Sequence, residues 1–295
     1  MKRTVLNIAV CLGFSVLLYS CGGNAENKTS ETETQAQPKE NVKIVTIGGA
    51  VTEVLAGLGM ESNLVGVDMT STYPESVKAK TQVGSSHNLN VESIIAAKPD
   101  YVISLEERGI KPEQATQLEQ AGIKVWVIKQ EYTIDGTKKL INTLADSFQK
   151  QDKAKEMIAA IDKSIAELPK YETKPKVLFI YARGAGTLQV GGTGTPMATM
   201  IELAGGTNAG TDFADFKPLT AEALVKMNPD MILLFESGMQ SLQGAEGLLK
   251  APGVAQTTAG KNKAFIMMEG GLLSGFGPRV GDAAKQLGEK MHEKK

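Results

Sequence analysis

Tyr73 is the side chain of this 295-residue chain that is best suited to hold a metal ion. It stands directly before Pro74 and shortly after an apolar run, Leu64–Val67, that predicts a buried strand. In an open parallel sheet the ligand crevice lies beyond the carboxyl ends of the strands, so a residue in this position faces the crevice. A phenolate is a hard, anionic ligand that suits ferric iron. The alternative is a tyrosine that packs its ring at a turn and leaves its hydroxyl in water.

The composition excludes several other kinds of site. The chain has two Cys and no C-x-x-C pair, and its two His residues, His87 and His292, form no cluster for zinc or copper. No Ser–His–Asp or paired-carboxylate arrangement is identifiable from the spacing. His87 is the competing metal ligand, but its Ser-Ser-His-Asn surroundings are typical of a surface loop. The 32 Lys and Arg balance 33 Asp and Glu without a long basic run, which excludes nucleic-acid binding by bulk electrostatics.

The beginning of the chain predicts export. Two basic residues precede an apolar run that ends at Leu18 and suits a signal peptide better than a membrane span, so residues 1–20 are assigned to the signal. The signal ends in Leu18-Tyr19-Ser20-Cys21-Gly22, which is similar to a bacterial lipobox. The alternative is a plain signal peptide that is cut near Ser20. Residues 21–41 are then a lipidated Cys and a polar tether predicted to be disordered. We therefore expect anchoring at the periplasmic or extracytoplasmic face of a membrane.

From residue 42 onward, strand-like and helix-like segments alternate, which predicts an α/β fold with parallel sheets. The predicted strands are Lys43–Ile47, Leu64–Val67, Tyr101–Leu105, Lys124–Ile128, Lys176–Tyr181, Met231–Phe235 and Ala264–Met268. The predicted helices between them include Glu53–Leu58, Val91–Ala97 and Pro112–Ala121. Leu89–Gly109 matches Leu219–Met239 at a constant offset in its Leu, Glu and Pro-Asp residues. This match predicts two similarly built lobes, unless a helix, Pro-Asp and a strand recur by chance.

A helical segment separates the two halves. Thr137–Leu168 keeps helical spacing, with a break at Gln151-Asp152 and Asp152 as the N-cap of a second helix. That helix, over about residues 152–168, would be about 25 Å long and could run from one lobe to the other. The predicted organisation is an N-terminal lobe at 42–150, a connecting helix at 151–172 and a C-terminal lobe at 173–295.

These features resemble the class III periplasmic binding proteins, the solute-binding proteins of ABC importers in which one rigid helix joins two Rossmann-like lobes. The motifs that carry the resemblance are Gly48-Gly49 with Thr52-Glu53, Asp68-x-Thr70-Ser71-x-Tyr73-Pro74, and Gly275-Phe276-Gly277-Pro278-Arg279. The family carries haem, cobalamin and ferric siderophores, and the Asp-x-Thr-Ser-x-Tyr-Pro stretch is specific to its haem-binding branch. The resemblance implies ferric haem as the transported ligand in the cleft between the lobes, with no free metal ion.

Other ligands and classes remain as alternatives to haem. Cobalamin and ferric siderophores belong to the same family, although a siderophore pocket suits a chain with 5% aromatic residues less well. An extracytoplasmic chelatase-like enzyme would need a general base near the metal, which the scarcity of His disfavours. The expectation is a binding protein that catalyses no reaction.

The resemblance also implies roles for particular residues. Tyr73 is the expected axial ligand of the haem iron. Arg183 stands where some haem-binding relatives carry a His, so a second nitrogen ligand and a pair of stacked haems are not expected. Arg183 and Arg279 are candidates to bind the haem propionates. Three further residues are expected in the pocket, namely Gly49, Ser71 and Met239.

Glu92 and Glu222 occupy the same position in the two matching segments, each early in a helix. The helix dipole favours acids there, and the resemblance implies that one Glu per lobe docks onto the permease. The expected partners are a dimeric ABC permease with its ATPase, the haem, and the membrane through the lipidated Cys21. The binding protein itself is expected to be a monomer.

Overall fold

The structure, a computed structural model, describes residues 41–85, 88–106, 109–184, 186 and 188–293. The signal peptide, the lipidated Cys21, the tether up to residue 40 and the competing ligand His87 lie outside these ranges, so their assignments stay predictions. No helix in the described ranges is long and apolar enough to cross a membrane.

The sheet of the N-terminal lobe is parallel, as the sequence predicts. Its strands are β1 (Ile44–Ile47), β2 (Leu64–Val67), β3 (Thr81–Gln82), β6 (Tyr101–Leu105) and β7 (Lys124–Ile128), with β4 (Gly84–Ser85) and β5 (Asn88–Leu89) as a separate antiparallel pair. The strand order is β3-β2-β1-β6-β7. All four residues of β1 are buried, because helices cover both faces of a parallel sheet.

The sheet of the C-terminal lobe is mixed, which differs from the predicted parallel type. Its strands are β8 (Lys176–Ala182), β9 (Leu188–Gly191), β10 (Thr207–Asn208), β11 (Phe216–Pro218), β12 (Met231–Phe235) and β13 (Phe265–Met268). Strands β8, β12 and β13 are parallel neighbours, whereas β9 pairs antiparallel with both β8 and β11. The connection from β8 to β9 is too short for a crossover helix, so it returns the chain as a hairpin.

The helices lie between these strands. They are α1 (Gly49–Gly57), α2 (Val91–Ala96), α3 (Pro112–Gln120), α4 (Ile134–Phe148), α5 (Gln151–Ala166), α6 (Pro196–Leu203), α7 (Ala221–Met227), α8 (Glu236–Ser241), α9 (Ala245–Leu249), α10 (Thr258–Lys261), α11 (Gly270–Ser274) and α12 (Val280–His292).

The predicted start of α1 at Glu53 is wrong, because Gly48, with φ of 114°, turns the chain directly from β1 into the helix. The predicted N-cap Asp152 is also wrong: Gln149, in the left-handed conformation, is the C-cap of α4, and Lys150 is the N-cap residue of α5.

The predicted match between the two lobes is confirmed at the level of hydrogen bonds. Lys98 and Asn228 both have positive φ, at 49° and 40°, where α2 and α7 end. After them, the backbone N–H of Lys43 donates to Asp100, and that of Lys176 donates to Asp230, each at 2.8 Å. Each Asp therefore ties the start of its own strand to the start of the central strand beside it.

The two lobes share one apolar core. It includes buried side chains from both sheets and from the helices between them, such as Ile44, Leu55, Leu144, Ile161, Phe179 and Leu287. Helix α5 supplies Ile161 to this core and lies close to α12, where Gly281 faces Ser164. Helix α5, the predicted connecting helix, therefore contributes to the core that both lobes share.

A second connection joins the lobes near the C-terminus. The segment Glu269–Arg279, here called the bridging segment, lies against the N-terminal lobe. The side chain of Gln130 donates to the carbonyl oxygens of Gly275 and Phe276 at 2.9 and 3.1 Å, and Thr137 donates to Phe276 at 2.8 Å. These bonds hold the motif that precedes Arg279 against the N-terminal lobe.

Candidate functional site

The loop between β2 and Tyr73 is held by the buried carboxylate of Asp68. One oxygen accepts hydrogen bonds from the Gly48 N–H at 3.0 Å and the Ser71 hydroxyl at 2.7 Å. The other accepts from the N–H and the hydroxyl of Thr70 at 3.2 and 2.6 Å. The loop therefore has a fixed conformation at the carboxyl edge of the sheet, which is the edge where a ligand crevice is expected.

Two of the predicted pocket residues, Gly49 and Ser71, contact or belong to this loop. Ser71 is buried, and its hydroxyl also lies 2.7 Å from that of Thr52. A Cβ atom at Gly49 would lie 2.9 Å from the carbonyl oxygen of Thr70, so the backbone of the loop requires glycine there. Their contacts are thus with the loop, and a direct role of Gly49 and Ser71 in ligand binding stays a prediction.

Tyr73 ends the loop and is 47% exposed. The guanidinium of Arg279 lies over its ring, 3.9 Å from the centroid, in a cation–π arrangement. The structure records no hydrogen bond from the Tyr73 hydroxyl to another described residue. The ring is therefore oriented by Arg279 while the hydroxyl remains free to bind a ligand.

Arg279 is itself held by Glu53, a residue from α1. Its Nε and one terminal nitrogen donate to the two carboxylate oxygens of Glu53 at 3.0 and 2.5 Å, which is the strong bidentate geometry. Burial raises the pKa of the Glu53 carboxyl, and the hydrogen bond and charge of Arg279 counteract this in part. Burial acts to lower the pKa of Arg279, but the hydrogen bond and charge of Glu53 raise it overall, so the guanidinium stays charged.

An aromatic group in the C-terminal lobe was not predicted from the sequence. Phe235 is the last residue of β12, and its ring contacts those of Phe179 and Tyr181 edge-on, with centroid distances of 4.8 and 6.1 Å. The ring of Phe216 also contacts Phe179 and Tyr181, in each case with a centroid distance of 6.4 Å. Phe216 is 38% exposed. We call Tyr181, Phe216 and Phe235 the aromatic wall. Phe216 lies in a polar stretch without strand periodicity, so no sequence signal identified it.

The bridging segment connects the aromatic wall to the loop that carries Tyr73. A Cβ atom at Gly270 would lie 3.6 Å from the ring of Phe235, and one at Gly271 would lie 3.6 Å from the Thr72 hydroxyl. The hydroxyl of Thr72 also donates to Glu269 at 3.5 Å. Phe235 and the residue before Tyr73 therefore approach the same short segment from opposite lobes.

Arg183 and Met239 have different surroundings in the C-terminal lobe. Arg183 is exposed, with its guanidinium 5.6 Å from the ring centroid of Tyr181, so it lies at the border of the aromatic wall. Met239 is buried in the apolar core of that lobe together with Ile180 and Leu234. The pocket role of Met239 stays a prediction, and its position in the core explains the side chain without a ligand.

Glu92 and Glu222 are exposed in the first turns of α2 and α7. Their helices are capped in the same way, with the Asn90 and Thr220 side chains accepting from the backbone N–H three residues later. Neither Glu forms an ion pair with another residue in the part of the chain that the structure describes. They lie on separate lobes and are not part of the Tyr73 site.

Among the described residues, no group of three or more His, Cys, Asp or Glu side chains could hold a metal ion. His292 is distant from Tyr73 in the fold: its ring stacks on Tyr171 at 3.6 Å and contacts the carbonyl oxygens of Gly288 and Thr173. In the described part of the chain, Tyr73 therefore stands beside Arg279 without a His, Cys or carboxylate cluster that could hold a metal ion by itself.

Two α/β lobes with a candidate site at their junction define a ligand-binding protein of the two-lobed type. The profile described as "Periplasmic binding protein" matches residues 44–270, and the chain belongs to this family. The predicted fold class is confirmed.

The similar proteins include both haem and cobalamin binders. An uncharacterized ABC transporter substrate-binding lipoprotein, YvrC of Bacillus subtilis, is 27% identical over 99% of this chain and 98% of its own. The vitamin B12-binding protein of Salmonella typhi is 27% identical over 83% of this chain and 88% of its own.

Among solved structures, the periplasmic heme-binding protein RhuT of Roseiflexus sp. RS-1 has a TM-score of 0.81 and 33% identity, covering 86% of this chain and 98% of its own. The heme-binding protein HutB of Vibrio cholerae has a TM-score of 0.76 and 30% identity, covering 85% and 99%.

Proposed function

We propose that this chain is the haem-binding component of an ABC importer and that Tyr73 binds the ferric iron of haem held between the lobes. The observation that carries the proposal is the exposed Tyr73, with its hydroxyl free and its ring fixed by Arg279. The similarity to periplasmic heme-binding proteins of known structure supports it.

The surroundings of Tyr73 suit a flat, anionic macrocycle. A phenolate oxygen binds ferric iron directly, and the charge of the metal favours the ionised phenol. The aromatic wall offers apolar surface for one face of the porphyrin. Because Arg279 is committed to Glu53, we assign the propionates to the exposed Arg183, whose planar fork matches a carboxylate.

The proposal predicts the spectrum and affinity of the hemin complex. Tyr73→Phe keeps the ring under Arg279 but removes the oxygen, so the tyrosinate charge-transfer band should disappear and hemin affinity should fall by at least about tenfold, equivalent to about 1.4 kcal/mol. The measurement is a hemin titration of the purified protein followed by visible absorption. His87→Ala is the control and should match the wild type. A Tyr73→Phe protein with the wild-type spectrum and affinity would exclude Tyr73 as the ligand.

Cobalamin is the second candidate, because vitamin B12-binding proteins are among the relatives. Cobalamin lacks propionates and has its own axial ligands, so it has no need of the Tyr73 hydroxyl. A competition titration with cyanocobalamin separates the two ligands. Tight cobalamin binding that Tyr73→Phe leaves unchanged, together with an unaltered free-hemin spectrum, would replace haem with cobalamin.

We propose further that the mature protein is a monomer tethered through lipidated Cys21 at the extracytoplasmic face of a membrane. It delivers its ligand to a permease dimer with its ATPase, binding without chemical turnover. Glu92 and Glu222, one exposed acid per lobe, are the proposed docking residues. Binding of Glu92 and Glu222 variants to the permease complex tests this role.

A further inference from the structure

Two aliphatic side chains are exposed at equivalent positions of the two lobes. Ile95 in α2 is 37% exposed and Val225 in α7 is 40% exposed. Ile95 and Val225 are separated by the same number of positions as Glu92 and Glu222. The match between Leu89–Gly109 and Leu219–Met239 therefore extends to these two exposed side chains. A single exposed aliphatic residue is ordinary, but its recurrence at the same place in both lobes requires an explanation.

Folding of the helices does not supply that explanation. The residues just before them, Ile94 and Leu224, are fully buried and already fix α2 and α7 on their sheets. Ile95 and Val225 are therefore not needed to attach α2 and α7 to their sheets. The surface is left for a partner.

Each aliphatic side chain lies beside an acid. Residues three apart are neighbours on a helix surface, so Glu92 lies next to Ile95 and Glu222 next to Val225. In the N-terminal lobe this pair borders a groove of about 630 Å³ that Leu89, Gln117 and Gln120 also line. An acid beside an aliphatic group fits a partner surface that offers a basic and an apolar group.

Glu92 and Glu222 lie in the first turns of α2 and α7, which face the carboxyl edges of the two sheets. A helix that packs on a sheet and leads into a parallel strand runs opposite to that strand, so it begins toward the strand's carboxyl edge. Helix α2 leads into β6 and α7 leads into β12, both in parallel sheet regions. The first turns of α2 and α7 therefore belong to the same sheet edges as the proposed ligand site.

We propose that Glu92 with Ile95, and Glu222 with Val225, form two equivalent docking patches for the two subunits of a permease dimer. The occupant is argued from the match itself, because two equal patches on one chain fit a partner that presents the same surface twice. The inference rests on the proposed function and adds an apolar anchor to each docking acid.

The acid and the anchor contribute to different steps of docking. Exposed charges at the border of an interface mainly accelerate association, and that effect weakens with salt. A buried aliphatic side chain mainly slows dissociation. The two kinds of substitution should therefore have separable kinetic effects.

The test measures binding of the mature chain, without ligand, to its permease–ATPase complex in lipid nanodiscs. Ile95→Ser and Val225→Ser should each raise Kd about threefold, and the double variant about tenfold, through faster dissociation. Glu92→Gln with Glu222→Gln should instead slow association and reduce its salt dependence. The matched control is Val127→Ser, because Val127 is 45% exposed on the outer strand β7 and has no counterpart in the repeat.

Two outcomes would overturn the inference: a double variant that docks like Val127→Ser, or an effect confined to one of the two single variants. A hemin titration of the same proteins keeps this result separate from the ligand assignment. The docking variants should bind hemin as the wild type does. A wild type that docks normally and fails to bind hemin would reject haem as the ligand and leave the docking patches supported.

Discussion

At the scale of single residues, the candidate site depends on an ion pair between the buried Glu53 and the half-buried Arg279. Arg279 donates two hydrogen bonds to Glu53, and the face of its guanidinium stacks on the ring of Tyr73. Removing Arg279 would leave the buried carboxylate of Glu53 without its charge partner. We infer from this arrangement that Arg279 positions Tyr73, while the propionate contact expected from the sequence stays a prediction.

The positioning role predicts the behaviour of Arg279→Lys. Lysine keeps the charge but loses the planar, bidentate grip on Glu53 and the stacking on Tyr73. We expect a loss of about 1–2 kcal/mol in hemin binding, or roughly tenfold in affinity, with the tyrosinate band still present because Tyr73 is intact. Hemin titration by visible absorption measures both quantities.

Arg183→Lys is the matched control, because Arg183 also lies over a tyrosine ring but is exposed and lacks a buried partner. It keeps a charge for a propionate and should change affinity less than Arg279→Lys. If Arg279→Lys binds hemin like the wild type, or loses the tyrosinate band entirely, Arg279 does not act through the orientation of Tyr73.

At the scale of elements, the sequence predicts the central strands well and the edges of the C-terminal sheet poorly. Runs such as Met231–Phe235 are apolar throughout because both faces of a parallel sheet are covered, and the structure has this strand at the predicted limits. Strands β9 and β11 were not predicted. They contain polar residues, Gly and Pro, and their pairing is fixed by a hairpin and a distant partner that no local periodicity reports.

The same limit applies to the site. The position of Tyr73 after a strand is a local feature and was predicted from the sequence. The pairing of Glu53 with Arg279 joins residues 226 positions apart, and Thr72 meets Glu269 across 197. Such contacts depend on how the bridging segment returns to the N-terminal lobe, so they follow from the fold and could not be inferred from spacing.

The attachment of the bridging segment can be tested through its hydrogen bonds. Gln130→Leu removes both of the donors to Gly275 and Phe276, whereas Thr137→Val removes a single donor and leaves Gln130 bound to Phe276. Unsatisfied buried carbonyl groups cost about 1–3 kcal/mol. The free energy of unfolding in urea should fall by about 2 kcal/mol for Gln130→Leu and by about 1 kcal/mol for Thr137→Val. An equal or larger loss for Thr137→Val would contradict this order.

At the scale of the whole molecule, the lobes are joined in three ways: by α5, by the bridging segment and by a common core. Side chains of both sheets belong to that core. A hinge motion of one lobe relative to the other would therefore expose apolar surface and would also bend α5. Bending α5 would also break consecutive helical hydrogen bonds. A binding protein built in this way captures its ligand with little rearrangement of the lobes.

Small-angle X-ray scattering of the mature protein with and without hemin tests this rigidity. We expect the radius of gyration to change by less than about 1 Å, because one rigid core and two covalent connections resist closure. The double variant Gln130→Leu with Thr137→Val frees the bridging segment while keeping α5, so it shows which connection limits motion. A larger decrease on hemin binding in that variant alone would assign the restraint to the bridging segment. A large decrease in the wild type would mean that a hinge crosses between the lobes and that α5 does not act as a rigid connection.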